Sequence, residues 1–409
     1  MSEDLQSKAS LLAAPSFVEL WIAGGVSNAM LWLEVLAAAL FTLQITNSGF
    51  AVALVSAARS LPLLVTGAVI GVISDAVDRK RVVVCGLMLT AASSACVGLL
   101  AMAGVLRPWH IGIAALVSGL VYATEMPARR RMIAESAGPL LAPRAVAVDS
   151  MTNYATRCAG PLLGGFAYQQ MGVSGAYLMS AALSLATAVL VARIKHRQSI
   201  VRRLSLAQAV RDFREGLSFA QQNRSILVLL GVTLVTNLFG YSYSTLVTPI
   251  GKLVFGLSPG MIGVLAAAEP AGSLAAGMLI ALRPPPGRPL LWLAGGAVGL
   301  FAALMVASAL GRLERPLLPV LAVLFVGGTA SAIYNVFQTT IVMADTPTSL
   351  RSRVMGLVTV CIGSWPFGMV LAGALIAPLG PLGALGALGV SGLGTIILIA
   401  LFAFRSARS

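Results

Sequence analysis

The sequence predicts an all-α integral membrane protein: twelve transmembrane helices in two six-helix, pseudo-symmetric bundles. Three observations carry that prediction. Of 409 residues, 58% are hydrophobic and 10% charged, where soluble domains hold about 25% charged residues. Mean hydropathy is +0.91. Apolar runs of about 20 residues, the length that crosses hydrocarbon as a helix, recur along the chain, and the alternating strands of a barrel do not. Helices and closed barrels are the only spanning structures that satisfy every backbone amide internally.

Taken in order, residues 1–16 form a polar N-terminal tail, "MSEDLQSKASLLAAPS". Its acids, and the lack of a basic region or small-residue cleavage site, predict that no signal peptide is removed. Six spans near 17–43, 48–74, 82–105, 109–131, 145–169 and 174–195 make a first bundle, 17–195. A polar link, 196–224, follows. In "SLAQAVRDFREGLSFA", Leu206, Val210, Phe213 and Leu217 recur at helical spacing behind Ser205 as N-cap, which reads as an amphipathic helix on the inner membrane face, with a plain tether between the bundles as the simpler alternative. Six more spans near 225–250, 257–282, 288–311, 316–343, 353–377 and 382–404 make a second bundle, 225–404, ending in a tail, 405–409.

The net charge of +14 is topological. With an even number of spans, both termini share one side, and 22 of the 28 Lys and Arg residues fall there: Lys8, the 79–81 and 129–131 clusters, Arg144, eight between 193 and 224, Arg283, Arg288, Arg351, Arg353, Arg405 and Arg408. Arg107, Lys252, Arg312 and Arg315 make 4 on the other side. The positive-inside rule makes the terminal side cytoplasmic. Cations confined to short links argue against nucleic acid as a partner. Cys85, Cys96, Cys158 and Cys361 sit in apolar runs without metal-ligand spacing and read as small core residues.

Ionisable residues inside spans are costly and mark function by default. Glu34 lies about ten residues from the outer end of the first span and Arg59 about eleven into the second, which is similar depth at 1.5 Å per residue. They are expected to face each other or a cavity. Glu269, beside Pro270 in the eighth span, is the other candidate for proton coupling. Burial favours the neutral form of a carboxyl and an adjacent guanidinium the charged form, so an acid near an arginine can be switched. Arg157, mid-span in the fifth, would attract an anionic substrate or balance Asp149. Glu125 reads as a structural partner of Arg129. Asn237, Tyr241, Tyr243, Asn335, Gln338 and Trp365 are candidates to line a cavity, with packing or interface anchoring as the plainer alternative. Trp109 reads as an interface anchor.

Enzyme chemistry has no support. His110 and His196 are isolated, no metal-ligand cluster occurs, and no Gly-Lys-Ser phosphate loop is present. No cofactor and no metal are expected.

The link "GVISDAVDRKR", 71–81, joins a Gly at 71 to Asp75, Arg79 and Lys80. It resembles the link between helices 2 and 3 of the major facilitator superfamily, with Asp78 standing where that pattern carries a glycine. "RCAGPLLGG" holds Gly160, Pro161, Gly164 and Gly165, and resembles the Gly-Pro-x-x-Gly-Gly signature of exporters in that superfamily. "AARSLP" (57–62), "MPARRRMI" (126–133), "VAVDSMTN" (146–153) and "LRSRVMGL" (350–357) are similar to its macrolide-efflux and enterobactin-exporter branch, so the resemblance covers nearly the whole chain. It implies alternating access by two rocking halves, with Asp75, Arg79 and Lys80 gating the cytoplasmic side. The expected function is proton-coupled export of a small amphiphilic compound, drug-like or siderophore-like, by a monomer in a bacterial inner membrane. An importer of a polar solute, a lipid transporter and a non-transporting receptor remain alternatives.

Overall fold

The computed structural model describes residues 11–66, 78–194, 206–282, 287–314 and 317–405. Every element among them is helical. Helix α1 is Pro15–Thr46, α2 is Gly49–Thr66 and α3 is Arg79–Met102. The continuous run Pro108–Arg193 is folded back twice, at Gly138 (φ 76°) and Gly172 (φ 66°), into three legs: α4 (108–137), α5 (139–171) and α6 (173–193). A left-handed φ carries little penalty without a Cβ, which is why glycine stands at both turns. Helix α7 is Leu206–Gln222, and α8 fills Arg224–Val254. Beyond it lie α9 (Pro259–Ala281), α10 (Pro289–Leu310), α11 (Leu317–Asp345) and α12 (Arg351–Ile362). The run Trp365–Arg405 turns at Gly380 (φ 70°) into α13 (365–379) and α14 (381–405).

Helix ends follow local chemistry. Asn47 closes α1 in a left-handed conformation (φ 48°) with its N–H on the Leu43 carbonyl. The Asp78 carboxylate accepts from the Lys80 and Arg81 backbone N–H groups at 3.0 and 3.3 Å. The residue that departs from the superfamily pattern is therefore the N-cap of α3. Asn223 and Ser258 cap α8 and α9 in the same way.

Buried apolar residues divide by half. Two clusters draw on residues between Leu11 and Ile194, and the largest on residues between Ala220 and Ile396. The halves meet on the face away from the termini. There Gly49 abuts Pro249 and Ile376, Gly373 abuts Ala53 and Phe50, and Ile262 packs with Leu36 and Leu40. A methyl group on Gly165 of α5 would fall on the Pro259 carbonyl and the Gly263 backbone of α9, and one on Gly263 would fall on the Pro161 carbonyl. The Gly260 N–H donates to Gln169 Oε1 at 2.9 Å beside this contact. Toward the terminal face a groove opens between Tyr154 of α5 and Asn335, Thr339 and Met343 of α11.

Gly71 and Asp75 lie outside the described residues, and Arg79 pairs with Glu135 of α4, within its own half. One expectation changes. Cys85 and Cys96 are exposed, not core residues, because they point off the outer side of α3. In α7 the packed residues are Gly216 and Ala220, while Phe213 and Leu217 are exposed. Arg353 of α12 holds this helix through Asp212 (3.0 Å) and Glu215.

Candidate functional site

Between the halves lies a cavity of ≈ 360 Å³, within the usual range for small-molecule sites. Its walls hold four charges. Glu34 of α1 and Arg59 of α2 stand 3.7 Å apart within the first half. Arg157 of α5 and Glu269 of α9 stand 3.6 Å apart and link the two halves. Asn237, Tyr241, Asn335, Gln338 and Trp365 all line the same cavity, as do Tyr243 and Trp32.

The two couples are held differently. Glu34 is 4% exposed and accepts from the hydroxyls of Ser94 and, at 2.6 Å, Ser180. Its partner Arg59 donates to Ser118 Oγ at 3.0 Å and the Leu31 carbonyl at 3.4 Å. Gly119 lets α4 pack directly on the Arg59 carbonyl. Both ends of that couple are held by residues of the first half. Glu269 is likewise buried, at 2% exposed, and accepts from Ser273 Oγ at 3.0 Å and Tyr243 OH at 3.3 Å. Gly328 of α11 presses on the Glu269 carbonyl, and Ser273 also reaches the Gly328 carbonyl at 2.9 Å. Arg157 differs from the other three. Its side chain is 23% exposed, its guanidinium lies 5.4 Å over the Trp32 ring, and it donates no hydrogen bond among the described residues.

The wall from α8 owes its shape to wide helical turns at Thr236–Gly240 and Ile250–Val254. Such turns recur at functional sites because the extra residue redirects side chains. Asn335 donates to Tyr241 OH at 2.7 Å, and Gln338 to Thr233 Oγ1 and Tyr334 OH at 2.9 and 2.6 Å. The Trp365 indole N–H is buried without a partner among the described residues, leaving a donor for a guest.

Asp149 is balanced by Arg129 and Arg130, at 2.7 and 3.2 Å, not by Arg157. Arg129 also holds Glu125 at 2.7 Å, and its guanidinium fills the space a side chain on Gly24 would need. All three of Glu125, Arg129 and Asp149 are buried at the terminal end of the first half. Arg129→Ala is expected to destabilise the protein by about 3–5 kcal/mol, since it strands the buried Glu125 carboxylate and leaves Asp149 with Arg130 alone among the described residues. The measurement is the midpoint of thermal unfolding in detergent. Gly160 and Gly164 seat α5 on Trp32 and Leu33 of α1, while Gly165 and Pro161 face α9, so the exporter-like motif binds α5 to both halves at once.

The serines that ligate the carboxylates, Ser94, Ser180 and Ser273, escape sequence reasoning because serine is common in membrane helices. Mid-span depth is the only signal they carry.

Apolar crossing helices in two packed halves, enclosing a charged and aromatic cavity, define a membrane transporter of the major facilitator type. The chain belongs to the transmembrane secretion effector family of that superfamily, whose model matches residues 6–409. It is 27% identical over 361 residues to the multidrug efflux pump Tap of Mycolicibacterium fortuitum, covering 83% of each chain. It is 25% identical over 209 residues to the uncharacterised MFS-type transporter YfiS of Bacillus subtilis (strain 168), covering 49% of this chain and 48% of YfiS. Among solved structures, it is similar to a bacterial homologue of the human lysosomal transporter Spinster, inward-facing and unoccupied (TM-score 0.71, 14% identity, 96% and 97% of the two chains). It is also similar to a mutant form of the nucleoside transporter NupG (TM-score 0.69, 13% identity, 95% and 99% of the two chains).

Proposed function

We propose that the protein is a proton-coupled exporter of small amphiphilic compounds, acting as a monomer in a bacterial inner membrane with both termini cytoplasmic. The observation that carries this reading is the Arg157–Glu269 couple, an ion pair that joins the halves inside the cavity and places an intramembrane carboxylate there. The similarity to an efflux pump supports export, and the charge asymmetry of the links supports the orientation. In this reading the halves rock about the cavity. Protonation of Glu269 or Glu34 from outside weakens substrate binding and allows release, and the proton leaves toward the cytoplasm. Asp75, Arg79 and Lys80 gate the terminal side in the alternate state.

Inverted membrane vesicles test it. With the lumen acidified, they are expected to accumulate a fluorescent amphiphilic drug, and to lose it when a protonophore collapses the gradient. Accumulation that instead requires an alkaline lumen would make the protein an importer. Unchanged coupling in both Glu34→Gln and Glu269→Gln would remove these carboxylates from the mechanism.

A further inference from the structure

We propose that Arg157 is a built-in competitor: its guanidinium occupies the seat that a cationic headgroup of the substrate takes, and must leave before that group binds. The inference rests on the transporter reading and narrows its substrate class to amphiphiles carrying one positive charge. Arg157 already makes the contacts expected of a bound cation. It is 3.6 Å from the Glu269 carboxylate and 5.4 Å over the Trp32 ring, and aromatic faces attract cations at about 6 Å. Tyr241 and Tyr243 lie within electrostatic reach on the α8 side.

The guanidinium is also the member of the couple that can move. At 3.6 Å its contact with Glu269 is Coulombic without a hydrogen bond, and the cation–π contact is weak where the cation keeps access to water. Its long side chain is partly exposed to the cavity. Glu269 has Ser273 and Tyr243 as donors and a backbone clamped by Gly328, so it stays when the arginine swings off. Arg59, by contrast, is held by two hydrogen bonds, and the Glu34 seat is shut. A site that is vacant only a fraction of the time shows its affinity reduced by that fraction. Deleting the occupant should therefore tighten binding of an external cation, the reverse of what loss of a ligand contact does.

The test is equilibrium binding of phenylguanidinium and of tetraphenylphosphonium to the full chain in nanodiscs, measured from pH 7 to 9 because a proton competes for the same carboxylate. Arg157→Gln is expected to bind both about tenfold more tightly than the wild type, corresponding to an arginine seated about nine-tenths of the time. Arg157→Lys, which retains a flexible cation, should stay within a few-fold of wild type. Glu269→Gln and the double variant should lose binding. Weaker cation binding in Arg157→Gln, with folding verified by an unchanged far-UV circular dichroism spectrum and a single size-exclusion peak, overturns the proposal. So does binding of 2-naphthoate that vanishes in Arg157→Gln, since Arg157 would then be an anion receptor. If no variant binds a cation while the vesicles still move solute under a proton gradient, this inference falls and the transporter reading stands.

Discussion

Glu269→Gln is expected to abolish gradient-driven accumulation, lowering it on the order of a hundredfold while leaving the protein folded. The glutamine keeps the size of the side chain: its oxygen accepts from one of the Ser273 and Tyr243 hydroxyls, and its amide N–H can donate to the other. What disappears is the charge facing Arg157 across the halves. Breaking a buried pair costs about 3–5 kcal/mol, and each 1.4 kcal/mol is tenfold. Arg157 retains partial solvent access, which places the effect at the lower end of that range. Proteoliposomes under an imposed pH gradient measure it. Glu34→Gln should act more weakly on coupling, because Glu34, Arg59, Ser94 and Ser180 all belong to one half and keep their distances as the halves rock. Wild-type accumulation in Glu269→Gln would show that the pair across the halves plays no part in coupling.

The second large effect is steric. Gly165→Leu is expected to reduce transport below the detection limit, because a side chain there collides with the Pro259 carbonyl and the Gly263 backbone on the face away from the termini. Overpacking of about one to three kcal/mol is the usual outcome within a core, but here the clash falls between two bodies that can part. The variant should therefore stay folded, with that face held open. A single cysteine introduced at position 169 should gain reactivity toward a membrane-impermeant maleimide added from that side. Gly112→Ala on α4, with open space beside it, serves as the control and should behave as wild type. If Gly165→Leu transports normally, the α5 to α9 contact does not gate the cavity.

How much of this was legible in the sequence follows from which physical signals are local. Apolar length and breaker residues mark the helices, because hydrocarbon thickness fixes the length of every span. The long fused runs turn where a glycine stands beside a proline or a polar link, as at Gly138 and Gly380. Glu34 and Arg59 are joined by one short turn, so rise per residue alone brings them to one level, and they stand 3.7 Å apart. Arg157 and Glu269 are over a hundred residues apart on separate halves, and no periodicity connects them. Depth gave Asp149 as a partner for Arg157, but Arg129 and Arg130 reach it from α4 first. The wide turns of α8 were equally hidden, since "TNLFGYSYSTLVTP" carries no composition that distinguishes them from regular helix.

The contact of Gly328 with the Glu269 carbonyl has a mechanical meaning. With the main chain of α9 pinned on α11 at that point, the acid cannot shift its anchor when its ionic partner departs. Any pull exerted on the carboxylate is therefore passed to α9 and α11 together, a stiff mount in place of a yielding length of backbone.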